Sequence, residues 1–174
     1  MSLTNETVLA ALQEKLGKDL LAAQIPQSDN LQNDQLTVTL RRDSLVETLR
    51  FLKEHPDLQF NFLTDICGIH YPENPANEEL GVIYHLHSWT NNYRLRLKTF
   101  VSRKDTKVPS ACPVFSCANW MERETYDFFG IQFTGHPNLK RILNVDEMDF
   151  FPLRKEYPLE EQTRTDKNDK MFGR

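Results

Sequence analysis

Apolar residues recur along this chain at two spacings, and the changes between them mark its elements. Val8, Leu9, Leu12 and Leu16 fall at helical spacing, with Thr4 or Asn5 to cap their start and Gly17 to stop them. A helix from Thr4 to Leu16 is therefore predicted. Residues 18–34 are mixed and polar and are broken by Pro26; Leu36, Val38 and Leu40 then alternate with polar neighbours as a half-buried strand. Ser44 and Glu47 have the spacing of a capping box. Leu45, Val46, Leu49 and Leu52 give the helix behind it an apolar face, and Pro56 ends it. Three more strands are predicted. The first places Leu58, Phe60, Phe62, Thr64 and Ile66 on one face; a Gly-, Pro- and Asn-rich loop follows at 68–79. Leu80, Val82, Tyr84 and Leu86 mark the second, and Thr90-Asn91-Asn92 turns the chain into Tyr93, Leu95, Leu97, Thr99 and Val101. A third helix is expected from Pro113, suited to the first helical position, to Phe129, with Gly130 as its stop.

Beyond Gly130 the periodicity fades. Residues 131–174 carry Pro137, Pro152 and Pro158, many charges and few periodic apolar positions. The order α-β-α-β-β-β-α predicts an α+β fold: a mostly antiparallel four-stranded sheet with helices packed on one face, plus an extended C-terminal arm. The expected division is an α+β domain at 1–130 and an arm with a polar tail at 131–174.

Composition narrows the function classes. The 174 residues suit one domain with a tail. A hydrophobic share of 39% and a charged share of 26% describe a folding, water-soluble chain. Lys and Arg number 21 against 25 Asp and Glu, and the resulting formal charge of -4 argues against nucleic-acid binding by bulk charge. No apolar run approaches the ~20 residues that span a bilayer. The start, Met1 to Glu6, lacks the layout of a signal or transit peptide. Three cysteines do not make a disulfide framework, so a reducing compartment is the expectation.

Candidate chemistry is sparse. There is no Gly-rich phosphate loop, no C-x-x-C pair and no H-E-x-x-H. Cys112 and Cys117 read as core or cap residues, and three thiols fall short of the four an iron–sulfur cluster takes. His85 and His87, two apart on one strand, point to the same side but lack a third ligand at a convincing spacing. On the same hairpin Arg94, Arg96 and Lys98 alternate with the apolar set, which makes this sheet face basic: a solvated surface, or a docking surface for an acidic partner or anionic group.

The third helix is densest in chemistry. Val114, Cys117, Ala118, Met121, Thr125 and Phe128 form its apolar stripe, and Arg123 and Asp127 lie opposite, four apart, where they can pair. Glu122 and Glu124 fall on the stripe's two borders. A bordering carboxylate calls for a cation or backbone donors, and Arg141 and Arg154 are the candidate partners. An independent small acid/base enzyme built on Glu122, Glu124 and His136 is an alternative reading.

The run from Glu122 through Arg123, Glu124, Asp127, Gly130, Gly135, His136, Pro137, Arg141 and Ile142 to Leu143, preceded by Asn119-Trp120, resembles the signature of the 30 kDa subunit family of respiratory complex I, which in bacteria is the C-type subunit. The later block Pro152-Leu153-Arg154-Lys155-Glu156-Tyr157-Pro158-Leu159 matches the same family at the expected separation. Asn138 stands where that family usually has Asp, and Lys140 where Arg is common.

The resemblance implies a non-catalytic scaffold subunit in the peripheral arm of a proton-translocating NADH:quinone oxidoreductase, on the cytoplasmic side of a bacterial inner membrane. It implies an arm that wraps the neighbouring 49 kDa-type subunit. It also implies that NADH, FMN, iron–sulfur clusters and quinone are used by the complex and none is held by this chain. Glu122, Arg123, Glu124, Asp127, Gly130, Gly135, His136, Pro137, Arg141, Arg154, Lys155 and Tyr157 are then partner-binding or structural residues, with no catalytic or metal residue among them. Membrane-bound hydrogenases and formate hydrogenlyases use similar subunits and form the nearest alternative.

Overall fold

The computed structural model describes residues 3–25 and 35–157. The chain runs α1 (Asn5–Leu16), β1 (Leu20–Gln24), β2 (Leu36–Leu40), α2 (Leu45–Glu54), β3 (Phe62–His70), β4 (Leu80–Ser88) and β5 (Tyr93–Val101). It continues through β6 (Lys107–Pro109), α3 (Ala118–Phe129) and β7 (Gln132–Thr134). The fold is α+β, and its main sheet has the order β1-β2-β5-β4-β3. Three of its pairings are antiparallel, and β2 with β5 is parallel. The topology explains the exception. After β2 the chain crosses through α2 to the far edge and meanders back through β3 and β4, so β5 arrives beside β2 in the same direction.

The core forms because the inward residues of the sheet meet the apolar faces of the helices. Val8, Leu12 and Leu16 of α1 and Leu45, Leu49 and Leu52 of α2 are buried in one cluster with Leu36, Val38, Leu40, Val82, Tyr84, Leu86, Leu95 and Leu97. Burying a Leu or Val side chain is worth about 1.5–3 kcal/mol each. The helix boundaries follow from caps. Thr4 and Thr7 bond reciprocally at the start of α1, and Gly17 ends it at positive φ. Gly130 ends α3 in the left-handed region, at φ 72°.

Four sequence expectations change. The main sheet has five strands and not four, because Leu20–Gln24 adds β1 at its edge. That strand has a register shift at Leu20/Ala22 and leaves Leu21 exposed, so it shows no clean alternation. Leu58 and Phe60 are buried ahead of β3, Gln59 takes a positive φ, and a further shift follows at Leu63/Asp65; the buried residues of the strand are thus Leu63, Ile66 and His70, with Phe62 and Thr64 exposed. The Ser44–Glu47 capping box does not form: the Ser44 hydroxyl binds Asp19 instead, and Glu47 pairs with Lys15 at 3.6 Å. Finally, α3 begins at Ala118, and Pro113 sits in the turns before it. In those turns Val114 and Phe115 both bond back to the Ala111 carbonyl.

β6 and β7 pair in parallel as a second, two-stranded sheet. They flank α3, which lies along β3. This places the motif helix between the turn that follows β6 and the segment that leaves β7. Among the described residues, no helix is long and apolar enough to cross a membrane.

Candidate functional site

Two buried carboxylates and a third set of contacts organise the region around α3. The first centres on Glu122, fully buried on the helix. Its Oε1 accepts from the Ala111 N–H at 2.6 Å and its Oε2 from the Ser110 hydroxyl at 2.6 Å, with the Cys112 thiol 3.6 Å away. Burial raises the Glu122 carboxyl above the usual carboxylate range; the two hydrogen bonds only partly offset it. His136 stands close by, and Cys112, Glu122 and His136 bring their ligand atoms within 4.8 Å of one another. The hydrogen bonding shows what this trio does. His136 Nδ1 accepts from the Asn138 N–H at 3.0 Å, which leaves Nε2–H to donate to the Asn119 carbonyl at 3.0 Å. With both ring nitrogens and both Glu122 oxygens engaged, the trio fits a structural knot better than a metal centre.

The second group is Asp127, also fully buried. Its Oδ2 accepts from the backbone N–H groups of Ile142, Leu143 and Asn144 at 3.0, 2.8 and 2.9 Å. Its Oδ1 accepts from Arg141 Nη1 at 2.7 Å and Asn144 Nδ2 at 3.1 Å. Burial opposes the charge, but these donors and the guanidinium outweigh it and hold the carboxyl far below the usual range. Arg141 is itself 8% exposed and also donates to the carbonyls of Asp127, Met148 and Phe150. One guanidinium thus ties α3 to two stretches of the segment after β7.

The third contact closes the far end. Phe151 packs beneath the guanidinium groups of Arg141 and Arg154, at 5.1 and 4.7 Å from its ring centre. Arg154 Nε donates to the Phe129 carbonyl at 2.8 Å, and Leu153 N–H to the Phe128 carbonyl at 3.2 Å. A Cβ on Gly130 would lie 2.5 Å from the Phe151 ring and 2.6 Å from Arg154, so glycine is needed there for space as well as for φ. Lys155 N–H donates to Nδ1 of buried His70 at 3.0 Å. Glu156 reaches Arg103 and stands 3.8 Å from His70.

These contacts overturn the expected pairings. The buried ion pair is Asp127–Arg141, and neither Glu122 nor Glu124 pairs with Arg141 or Arg154. Glu122 is served by Ser110 and Ala111, and Glu124 is exposed. Asp127 faces inward, and Arg123 does not pair with it; Arg123 instead donates to the Lys140 and Arg141 carbonyls and covers Trp120. A helical wheel places residues by angle, but it cannot see a returning chain segment that makes a second buried side for α3. Cys117 is exposed at the N-cap position, and all three cysteines are free thiols. Gly135 (φ 82°) and Pro137 shape the turn that presents His136, while the Tyr157 ring lies 5.0 Å from that of Phe150. His85 and His87 share the sheet face that carries Arg94, Arg96 and Lys98 but belong to no three-ligand group among the described residues. The sequence reading missed Ser110, Asn144 and His70; a serine twelve residues before a glutamate carries no local signal.

A model of the family described as the respiratory-chain NADH dehydrogenase, 30 Kd subunit, matches residues 38–163. The chain belongs to this family. It is similar to the C-type subunit of the NADH-quinone oxidoreductase of Roseiflexus castenholzii, 41% identical over 175 residues, covering 99% of this chain and 96% of that protein. It is also similar to the second C-type subunit of the NADH-quinone oxidoreductase of Rhizobium etli, 49% identical over 118 residues, 67% of this chain and 61% of that one. Among solved structures, a trypsin-resistant fragment of Nqo5 superposes with a TM-score of 0.59 at 33% identity, over 77% of this chain and 98% of the fragment. A chain of an archaeal membrane-bound sulfane sulfur reductase superposes at 0.71 with 21% identity, over 88% of this chain and 85% of that one, a likeness of fold alone. The two departures from the family pattern are mild in structure. Asn138 acts through its backbone N–H, and Lys140 through its carbonyl.

Proposed function

We propose that this chain is a scaffold subunit of the peripheral arm of a proton-translocating NADH:quinone oxidoreductase, seated on the 49 kDa-type subunit at the cytoplasmic side of a bacterial inner membrane. Its family supports membership of the complex. The observation that carries the scaffold role is that the buried polar atoms of the motif are spent on holding backbone. Asp127 binds three successive N–H groups, Glu122 the turn after β6, and Arg141 three carbonyls. A general acid or base needs a free face toward substrate; the Glu122 oxygens and both His136 ring nitrogens are engaged, and Glu124 does not join them in one cluster. The clamp leaves Leu143 and Val145 65% and 64% exposed on the segment it holds, and Trp120 63% exposed on α3. Apolar side chains displayed on a rigid backbone suit a partner interface. NADH, FMN, iron–sulfur clusters and quinone then belong to the other subunits.

The test is Arg141→Ala and Arg154→Ala in the intact complex, with assembled enzyme measured on native gels and NADH:quinone turnover measured on the same membranes. Turnover is expected to fall only in proportion to assembled complex. Fully assembled variant enzyme with reduced turnover would instead give these residues a part in the quinone chemistry and remove the scaffold reading.

A further inference from the structure

The face of the main sheet opposite the helices is built for something the rest of the chain repels. On β5, residues 94, 96, 98 and 100 point away from the core, because Leu95, Leu97, Thr99 and Val101 are buried on the other side. Arg94, Arg96 and Lys98 therefore stand in a row on the middle strand of five. The register sets His87 opposite Arg94, His85 opposite Arg96 and Ile83 opposite Lys98 on one side, with Thr37 and Thr39 opposite Arg96 and Lys98 on the other. The next strand adds Phe62, Asp65 and Cys67. Asp65 is thus the single carboxylate in this register, against three full cations.

Two further observations separate this face from an ordinary solvated one. None of Arg94, Arg96 and Lys98 makes an ion pair or side-chain hydrogen bond among the described residues, whereas Arg41, Arg42, Arg103 and Arg141 all do. The proximity of Arg96 also has a cost. Burial first, and then Arg96, lowers the proton affinity of both Lys98 and His85. Beside the basic row lies an aromatic corner. The Trp89 ring, 64% exposed, lies tilted at 5.0 Å from His87 and edge-on at 5.6 Å from Phe62, itself 42% exposed, and the buried Nε2 of His87 has no hydrogen-bond partner among the described residues. Arg and Trp are the residue types that dominate binding energy at interfaces.

We propose that this face, open among the described residues, docks an acidic segment of a partner protein, carboxylates facing Arg94, Arg96 and Lys98 and an apolar side chain against Trp89 and Phe62. The occupant follows from charge complementarity. The whole chain carries a formal charge of -4, so a polyanion such as nucleic acid is repelled by the remainder of the surface. Three cations at every second residue, roughly 7 Å apart, match carboxylates at every second position of an extended segment. The aromatic corner gives that segment an end point, which a lipid surface does not need. This inference rests on the reading of the chain as a subunit, since the partner is another protein of the same assembly.

Lys98 reports on it directly. Purified complex is treated with a water-soluble carbodiimide, which joins a carboxylate to an amine in contact with it, and linked peptides are identified by mass spectrometry. The expected product joins Lys98 to an Asp or Glu of another subunit. It should drop at least tenfold in an Arg94→Glu/Arg96→Glu variant or in 1 M salt, where screening shortens to about 3 Å. Acetylation of Lys98 should likewise be at least tenfold slower in the complex than in the isolated chain. If the chain is present in the complex but Lys98 is freely acetylated, or links only to Asp65, the inference fails and the subunit reading stands. If the chain enters no assembly, both fail. If the isolated chain binds vesicles containing phosphatidylglycerol through these three cations and Lys98 links to no other protein, the face is a lipid site and the inference is overturned.

Discussion

Replacing Asp127 by Asn tests the architecture most directly. Five donors converge on this carboxylate: the N–H groups of Ile142, Leu143 and Asn144, the Asn144 amide and Arg141. An asparagine amide would turn its own N–H2 toward donors whichever way it is placed, leaving either the three backbone groups or the guanidinium without an acceptor. Asp127 and Arg141 have 0% and 8% side-chain exposure, and removing one partner of such a buried pair typically costs about 3–5 kcal/mol. At ~1.4 kcal/mol per factor of ten, that is an opening equilibrium raised on the order of a hundredfold to several thousandfold. Glu124 is exposed and makes no side-chain hydrogen bond or ion pair among the described residues, so Glu124→Gln should change nothing measurable.

Amide hydrogen exchange at Ile142, Leu143 and Asn144, read in the folded protein, measures the opening, and trypsin cleavage after Lys140 and Arg141 gives an independent reading. Asp127→Asn should lose protection at all three amides while the sheet amides of β4 and β5 keep theirs. Asn144→Ala, which removes one donor to Oδ1, should lose about 1 kcal/mol by the same measure and covers the case in which Asp127→Asn fails to fold. Equal protection in Asp127→Asn and the unaltered protein, or equal loosening by Glu124→Gln, would refute the clamp.

Two other outcomes follow from the buried groups. His70 has its ring proton affinity lowered, chiefly by burial and then by Arg103 and Arg154, against the opposing pull of Glu156 and Glu79. Its stabilising effect is therefore complete above its ordinary value of about 6.5 and is lost as the pH falls below it, because protonation removes the Nδ1 acceptor from the Lys155 N–H; the protection factor of the Lys155 amide, its exchange rate relative to the free-peptide rate at the same pH, should fall more between pH 7.5 and 5.5 in the unaltered protein than in His70→Gln. Glu122→Gln should be tolerated at neutral pH, with a loss of about 1 kcal/mol or less by chemical denaturation, since an amide can accept from Ala111 N–H and donate to the Ser110 hydroxyl; a loss as large as that of Asp127→Asn would contradict this account.

The α+β class, α1 and the β4–β5 hairpin could be read from sequence because each is a local pattern with its own boundary signal. Thr4 and Gly17 bound α1, and five alternating residues mark β5. The failures share a cause that no window contains. β1 is an edge strand with a register shift, so its exposed Leu21 breaks the alternation. β3 changes phase at Gln59 and again at Leu63, which moves Phe62 to the open face. On α3 the wheel places Asp127 outside because it lies opposite the stripe of Val114, Cys117, Ala118, Met121, Thr125 and Phe128. The chain returning after β7 supplies donors to Asp127 from fourteen to seventeen residues away. The expected pairing of Glu122 or Glu124 with Arg141 or Arg154 therefore does not form: Arg141 meets Asp127, and Glu122 is held without a cation.

Glu122 and Asp127 show how one helix can carry two buried carboxylates with opposite proton affinities. Burial raises both, so the difference lies in what meets them. Asp127 gathers three backbone donors, an amide and a guanidinium, and its charge is favoured; Glu122 gathers one backbone donor, a hydroxyl and a distant thiol, with no ion pair, and its charge is disfavoured. The sign of each linkage follows. Asp127 stabilises the fold above its ordinary pKa of about 3.8, and that stability is lost as acid protonates it. Glu122 stabilises it most below its ordinary value of about 4.5 and loses that contribution as the pH rises through its raised value. The ionised group therefore sits where the segment after β7 must be held to α3, and the more easily protonated group sits where α3 meets its own preceding turn. A charge that survives acid secures the contact between two separate stretches of chain, and a group that tolerates neutrality is left to a turn that β6 and α3 already hold in place.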